Sequence, residues 1–323
     1  MFISFLVIPA LPVFRALADP TRLRIMALVR SLELAVGELA QLLGQSQPRV
    51  SRHVKILADA GLLRRAKEGA WVFVRLGDAG VTVPVLAALD AWGVTATDDL
   101  AQLASVRAER NAAAAAYFAA HAEAWDGIRS LHVADAEVEA AITNVLEGRP
   151  VGHLLDIGTG TGRMIELLGS AAASAIGIDR SPEMLRLARG KLEAAGLPHA
   201  EVRHADMYAL PRANSSTDTV ILHQVLHFAD APGAALAEAA RVLRPGGRLL
   251  VVDFAPHDRE ELRSEHAHAR LGFSDAQVCG WLRATGLEAR VVGHLASGSA
   301  TAAPLTVTLW LGERPATQQR QAA

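Results

Sequence analysis

Cysteine is all but missing from this chain: its 323 residues contain one, Cys279. A single thiol excludes a disulfide framework within the chain and any metal centre built from several thiolates of one protomer. A reducing compartment, the cytoplasm, is therefore the expected setting. A long apolar run is missing too. The apolar opening, MFISFLVIPALPVF, extends 14 residues before Arg15, short of the roughly 20 that a membrane span needs. It holds two prolines and no basic leader, so it lacks the layout of a signal peptide; the expectation is an arm packed on a neighbouring element. Large net charge is the third absence: the total is −2, which taken as a whole argues against a nucleic-acid partner.

The charge is unevenly spread. Between Gly44 and Leu76 stand Arg49, Arg52, Lys55, Arg64, Arg65, Lys67 and Arg75 against only Asp59 and Glu68. A basic stripe on an acidic body is the electrostatic footprint of phosphate contact. The length and an apolar fraction of 51% suffice for two buried cores. The expected organisation is α/β overall: a winged helix-turn-helix over 1–79, a helical linker over 80–133 serving as dimerisation or lid region, a Rossmann-like seven-stranded α/β domain over 134–315, and a disordered tail over 316–323.

Asp19-Pro20 sets a capping carboxylate before a proline, which a first helical turn tolerates because its missing N–H would be unpaired there; a helix over 20–31 follows. Val36–Leu43 reads as a short helix stopped at Gly44, and Ser46 is placed to cap the next helix with Pro48 in its first turn. In that next helix Val50, Val54 and Leu57 form a buried stripe at i, i+4 and i+7, while Gln47, Ser51 and Lys55 line another face with Arg52 beside them. Arg and Gln offer bidentate pairing to guanine and adenine edges; Ser and Lys hold phosphates. GLLRRAKEGAWVFVRL then alternates like a hairpin turning at Lys67-Glu68-Gly69, with Arg64, Arg65 and Lys67 near its tip. A small helical domain with a solvated charged face is the plainer reading, but the order helix, turn, helix, basic hairpin favours double-stranded DNA. On these residues, LADPTRLRIMALV and VGELAQLLGQSQPRVSRHVKILADAGLLRRAKEGAWVFVRL, the segment 12–77 resembles the ArsR/SmtB family of winged-helix repressors. The resemblance implies a homodimer reading a palindromic operator with half-sites roughly one helical turn, about 34 Å, apart. The paired cysteines of the family's metal sensors have no counterpart in LELAVGELA, so no metal site is expected there.

Residues 80–130 are alanine-rich, and AERNAAAAAYFAAHAEAWD reads as one long helix with Tyr117, His121 and Trp125 at i, i+4 and i+8. Packing is the simpler reading of that stripe. The alternative is a helix over the mouth of the following domain, with Tyr117 and Trp125 near a ligand.

From about residue 134 short apolar runs alternate with helical stretches: HLLDIG, AIGID over a helix at 182–195, EVRHAD, TVILHQ, RLLVVDF, and a last antiparallel strand over Leu305–Leu311. This is the pattern of a parallel sheet covered on both faces, whose ligands bind beyond the carboxyl ends of the strands. The first strand ends in Asp156 and the loop Gly158-Thr159-Gly160-Thr161-Gly162, where glycines let a ligand approach the backbone. Nicotinamide-binding folds begin similarly. However, an acid inside the loop disfavours a pyrophosphate and suits a cationic ligand, and Asp179, ending the second strand, can accept from both hydroxyls of a ribose. Asp206 closes the third strand beside Met207, where an adenine amino group can be held. DIGTGTG, IGID, HAD and LRPGGRLLVVDF occur in the order that resembles class I S-adenosylmethionine-dependent methyltransferases over 134–312, nearest the branch that methylates quinones and small molecules. The resemblance implies that Asp156 and the glycine loop face the methionine portion of S-adenosylmethionine or S-adenosylhomocysteine, Asp179 the ribose, Asp206 and Met207 the adenine, with Arg180 and Met184 at the ribose and adenine edge. Pro245-Gly246-Gly247 is expected as a turn before the fifth strand.

His223, Gln224 and His227 follow the fourth strand, where a methyl acceptor would sit, and His257, His266 and His268 follow the fifth. Each is read either as a cap or satisfied core group or as part of a catalytic set; His223 also borders the cofactor. Arsenic methylation depends on several cysteines, which Cys279 alone does not supply. Fusions of these two halves resemble repressors of methionine and S-adenosylmethionine-cycle genes that respond to S-adenosylhomocysteine. An active small-molecule methyltransferase with an autoregulatory DNA-binding arm is the alternative.

Overall fold

The computed structural model describes residues 10–94, 97–129, 134–296 and 305–316; residues 1–9 of the expected arm and 317–323 of the expected tail lie outside the described residues. The chain divides into two compact units, the first through Asn111 and the second from Ala112.

The first unit runs α1 (Ala10–Leu17), α2 (Pro20–Val29), β1 (Leu34–Ala35), α3 (Val36–Leu42), α4 (Gln47–Asp59), β2 (Leu63–Glu68), β3 (Trp71–Leu76), α5 (Ala79–Ala91) and the start of α6 (Thr97–His121). Asp19 caps α2 as expected, its carboxylate accepting from the Arg22 N–H at 3.1 Å. The stop after α3 is a Schellman turn: Gly44 takes φ +61°, the Gln45 N–H reaches the Ala40 carbonyl and the Gly44 N–H that of Gln41, pairing carbonyls that the helix end would orphan. Ser46 occupies the N-cap of α4 in extended conformation, but its hydroxyl makes no capping bond. Val50, Val54 and Leu57 are fully buried beneath α4 beside Ile25, Leu28, Leu39 and Leu62. The hairpin turns one step later than its composition suggests: Glu68 pairs with Trp71, so Lys67 and Glu68 are strand residues and Gly69 (φ +57°) with Ala70 makes a two-residue turn. Such turns need positive φ, which Gly69 supplies. AERNAAAAAYFAAHAEAWD is not one helix: α6 ends at His121, a 3-10 turn over Ala122–Ala124 follows, and a new helix opens at Trp125; the His121 Nδ1–H donates to the Tyr117 carbonyl at 2.8 Å.

The second unit continues with α7 (Trp125–Arg129), α8 (Asp135–Leu146), β4 (Gly152–Ile157), α9 (Arg163–Leu168), β5 (Ala172–Asp179), α10 (Pro182–Ala194), β6 (Ala200–His204), β7 (Thr217–His223), α11 (Pro232–Val242), β8 (Leu243–Phe254), α12 (Glu261–Glu265), α13 (Asp275–Ala284), β9 (Glu288–Ala296) and β10 (Thr306–Glu313). Its seven strands lie in the order β6-β5-β4-β7-β8-β10-β9. β4 to β8 are parallel where they pair, and β10 is antiparallel to both neighbours. Alternate residues feed two cores. Leu154, Ala175 and Ile221 pack with α8, α9 and α10, and Leu155, Ile176 and Val220 with α11 and α13, the period-2 division of a sheet covered on both faces. Cys279 is buried in the second core, which pushes its thiol pKa up. Pro245-Gly246-Gly247 lies within β8, where the pairing jumps from Thr217–Leu243 to Thr219–Arg248 and Gly246 takes φ +77°. It is a bulge in the strand, not a turn before it.

Leu57 is fully buried on α4, the helix that packs on α2, α3 and β2. Leu57→Ala is expected to lower the stability of the first unit by about 2–5 kcal/mol, read as a fall in the urea midpoint of its unfolding transition by circular dichroism.

Candidate cofactor pocket and DNA-binding surface

The basic surface of the first unit rests on two elements. Gln47, Arg49, Ser51, Arg52 and Lys55 are all exposed on α4, away from the buried stripe, and Arg64, Arg65 and Lys67 are exposed on β2. Lys55 is tethered to Asp59 at 2.7 Å one turn on, and Arg64 lies 3.8 Å from Asp78. Exposed pairs of this kind contribute about 0–1 kcal/mol, too little to withhold either cation from a phosphate. Trp71 stands at the wing turn with its ring stacked 6.0 Å from Phe73.

In the second unit the strand-end carboxylates organise the loop after β4. Asp156 is buried and accepts from the Thr159 hydroxyl at 2.6 Å. The Gly158 and Thr159 N–H groups donate to the Ile178 carbonyl at 2.9 and 2.8 Å, and Gly160 N–H to Asp179 Oδ2 at 2.9 Å. The other oxygen of Asp179 accepts from Ser181 N–H at 2.8 Å. A carboxylate offers about four acceptor sites, and the Arg180 N–H is a third backbone donor to this one, so little more than one site is left towards a ribose. Gly158, Gly160 and Gly162 all take positive φ, at 70°, 52° and 86°. A Cβ on Gly158 would stand 2.2 Å from Val225 Cγ2, and one on Gly160 would stand 3.4 Å from Trp125 Nε1. The loop is thus a cradle of bare backbone with a tryptophan against it.

Arg180 is exposed after β5. Met184 is buried in α10, where its N–H is capped by the Ser181 hydroxyl. Asp206 lies two residues past β6 and accepts from Tyr208 N–H at 3.0 Å, while Met207 packs on the second core. Burial pushes the Asp179 carboxyl above the usual carboxylate range, opposed by the N–H groups of Ser181 and Gly160.

Trp125 comes to the loop and Tyr117 does not: the Tyr117 hydroxyl bonds His266 Nδ1 at 2.8 Å, and its ring packs 4.3 Å from His121. Sequence reasoning missed the residues beside Trp125. Asp126 bonds Thr161 Oγ1 at 2.8 Å and pairs with Lys191 of α10, clamping the start of α7 to the glycine loop. Phe118 and Phe228 pack edge to face 4.8 Å apart and both contact Trp125, continuing an aromatic wall outward from the loop. Their helical spacing from Tyr117 and His227 gave no sign of this pairing.

The histidines do not gather as one set. His223 ends β7 and is buried, and Gln224 after it takes a strained φ of +50° while its N–H holds the Val252 carbonyl at 2.7 Å. His227 is buried in a 3-10 turn and meets Asp253 of β8, Nδ1 to Oδ1 2.7 Å; His268 stacks on it with centroids 4.1 Å apart. His257 lies edge-on to Phe254, and its Nδ1 accepts from Arg259 N–H. Asp253 was legible only as a lone acid in the otherwise apolar run LLVVDF. Among the described residues no three His, Cys, Asp or Glu side chains converge as metal ligands would.

A doubly covered sheet with an antiparallel last strand and a glycine cradle between strand-end acids defines the Rossmann-like methyltransferase class. Residues 155–251 match the family model of a methyltransferase domain, and residues 19–65 that of the bacterial regulatory proteins of the arsR family. The chain therefore joins an ArsR-type helix-turn-helix domain to a methyltransferase domain. Over 64 residues it is 50% identical to the arsenical resistance operon repressor of Escherichia coli, covering 20% of this chain and 55% of the repressor. Over 121 residues it is 44% identical to demethylmenaquinone methyltransferase of Thermus thermophilus, covering 36% and 53%. The chain thus spans about half the length of these relatives. The YcgJ protein of Bacillus subtilis shares the fold, with a TM-score of 0.51 and 19% identity over 56% of this chain and 99% of that one.

Gly158→Ala is expected to weaken binding of S-adenosylmethionine by about tenfold or more, since strain of about 1–3 kcal/mol at such a position suffices; calorimetric titration beside an unchanged circular dichroism spectrum checks it. With Asp179 as the expected acceptor, its raised pKa should make affinity fall on acidification at a higher pH than an ordinary carboxylate would give.

Proposed function

We propose that this protein is a DNA-binding repressor whose methyltransferase domain takes S-adenosylmethionine or S-adenosylhomocysteine, with occupancy setting operator affinity. One observation carries the reading: a single helix, α6, has each end tied beside a different binding device. Near its start Asp99 accepts two hydrogen bonds from Arg24 of α2, at 2.6 and 2.7 Å. Just past its end Trp125 and Asp126 engage the glycine loop. The cradle suits a ligand with an unprotected ribose and a cationic methionine end, because acids and bare glycines line it and Lys191, bonded to Thr161, is paired with Asp126. The operator reading rests on the exposed basic faces of α4 and β2 and on the arsR family match. Genes of the methionine and S-adenosylmethionine cycle are the targets this ligand implies.

A homodimer completes the repressor. Its support is exposed apolar side chains on two helices: Leu11 and Phe14 on α1, with Phe14 60% exposed, and Val83 on α5 with Trp92 just past its end, 67% exposed. The active-enzyme alternative shares the same cofactor pocket and is favoured by the His227–Asp253 contact.

Occupancy changes DNA affinity only through a difference in ligand affinity between the two states; tenfold requires about 1.4 kcal/mol. In a fluorescence-anisotropy titration onto DNA from upstream of the gene, either nucleoside is expected to shift the midpoint by about that factor. Asp179→Ala should bind DNA normally and lose the shift; a shift that persists refutes the coupling. Arg52→Ala should weaken binding to operator and to unrelated DNA alike and reduce the salt slope by about one if it contacts phosphate, or relax specificity if it reads a base. Trp92→Asp should sediment as a monomer and lose operator affinity.

A further inference from the structure

The parallel strands have a second end, and it carries polar chemistry that neither binding device uses. Along β4, β5 and β6 the residues His153, Leu155, Ser174, Ile176 and Glu201 share one face, because His153 pairs with Ser174, Leu155 with Ile176 and Ile176 with Glu201. That is the face of the second core, where a covered sheet calls for apolar side chains. At the amino ends of the strands it turns to imidazole, hydroxyl and carboxylate instead. A cavity of about 520 Å³ opens there, lined by His153, Ser174, Glu201, Arg212, Ser216 and Arg244 among others, within the range of about 300–1,000 Å³ of small-molecule sites. Asp156 and Asp179 of the cofactor cradle stand at the opposite ends of β4 and β5.

The charge of the lining is unbalanced at one residue. Glu201 pairs with Arg203 at 2.6 Å, and Arg244 is held through a single nitrogen, Nη1, 3.0 Å from both oxygens of Asp218. Arg212 is different: among the described residues its buried Nε has no hydrogen-bond partner, and its Nη2 reaches the Ser216 carbonyl at 3.3 Å. A buried charged donor left without an acceptor is costly, and a guanidinium presents the fork that oxyanions fit. His153 Nδ1 lies 2.8 Å from the Ser174 hydroxyl; a hydroxyl donating there leaves the Nε2–H of His153 as a further donor. The loop that carries Arg212 is fixed. Arg241, at the end of α11, donates to the Arg212 carbonyl at 2.9 Å and to Asn214 Oδ1 at 2.6 Å, the Ser216 N–H donates to the Val242 carbonyl at 2.8 Å, and Ser215 is held at φ +51°. Positive φ at a residue with a side chain is strain that its surroundings must over-determine, and such strain gathers at ligand sites.

We propose that this cavity is a second ligand site of the methyltransferase domain, taking a small phosphate monoester with its phosphate on Arg212 and its polar remainder against Ser174 and His153. Donors reach the cavity from Arg212, Arg244 and His153, which lie on three different segments. That spread matches the three terminal oxygens of a phosphate better than the two coplanar ones of a carboxylate. The volume is many times the roughly 30 Å³ of one water, so an organic group of sugar size fits beside the phosphate. The site is independent of the cofactor reading.

The test is calorimetric titration of the full-length protein, in phosphate-free buffer, with ribose 5-phosphate, inorganic phosphate, ribose and succinate. Ribose 5-phosphate is expected to bind with a Kd below about 1 mM, inorganic phosphate more weakly, and ribose and succinate not measurably. Arg212→Gln should weaken ribose 5-phosphate by about tenfold or more, the effect of losing a bond to a charged group, and Arg212→Lys, which keeps the charge without the fork, should fall between. Glu201→Gln should bind more tightly, because it removes the acid in the lining; a merely structural role for these residues gives no such opposite sign. Saturation with S-adenosylhomocysteine should leave the titration in place. The proposal is overturned by no binding of ribose 5-phosphate to the wild-type protein, by equal binding to a folded Arg212→Gln, or by succinate binding as tightly. Displacement by S-adenosylhomocysteine would put the probe in the cofactor pocket, and loss on Arg52→Ala alone would put it on the DNA-binding surface; either overturns the site. Where circular dichroism shows Arg212→Gln to be unfolded, Glu201→Gln decides, and weaker or unchanged binding to that variant overturns the proposal.

Discussion

The site depends on one constraint: the backbone after β4 must lie against the end of β5. Ile178 supplies the carbonyl that receives two consecutive N–H groups of the loop, and Asp179 receives the third. A single strand end therefore satisfies amides that would otherwise need water, and a loop without side-chain bulk is left open to a ligand. Three positive-φ glycines are the conformational cost of that path. The carboxylate that fixes the loop is also the one a ribose would use, so ligand and loop would share one acceptor.

That dependence spreads through Thr161. Its hydroxyl bonds Asp126, which also pairs with Lys191 of α10, and Trp125 closes on Gly160. A change in the loop on ligand entry is thereby felt at the start of α7, and α7 follows α6 after only a 3-10 turn. The opposite end of α6 is held by a bidentate Arg24–Asp99 pair, a geometry with more directional stiffness than a monodentate contact. Arg24 belongs to the helix that packs directly on α4.

Much of this was legible in the sequence because it is periodic or punctuated. The α4 stripe, the Gly44 stop, the Asp19 cap, the five parallel strands and the glycine loop all follow from spacing and from residues with restricted backbone preferences. What was not legible depends on the third dimension. Lys67 and Glu68 look like turn residues by composition, but the register places them in β2 because Gly69 and Ala70 suffice for the turn. The alanine-rich stretch over 108–126 looks like one helix because alanine carries no information on where it ends; the helix stops at His121 and a 3-10 turn follows before Trp125. Asp253, Asp126 and Lys191 belong to contacts between residues 26, 35 and 65 positions apart, which no local pattern encodes. Tyr117 and Trp125 look equivalent at helical spacing, yet one turns to His266 and the other to the glycine loop.

Sensing and catalysis make opposed demands on one pocket. A sensor needs a ligand that stays long enough to shift a population, and a catalyst needs a product that leaves. The fold separates the two demands in space: the carboxylates proposed for the nucleoside stand at the ends of β4, β5 and β6, and His223 and His227 follow β7. Tightening the Trp125–Asp126 clamp would favour retention without touching His227, and altering the aromatic wall would change the acceptor without touching Asp179. A domain arranged this way can give up turnover and keep sensing, or keep both, through changes at separate residues.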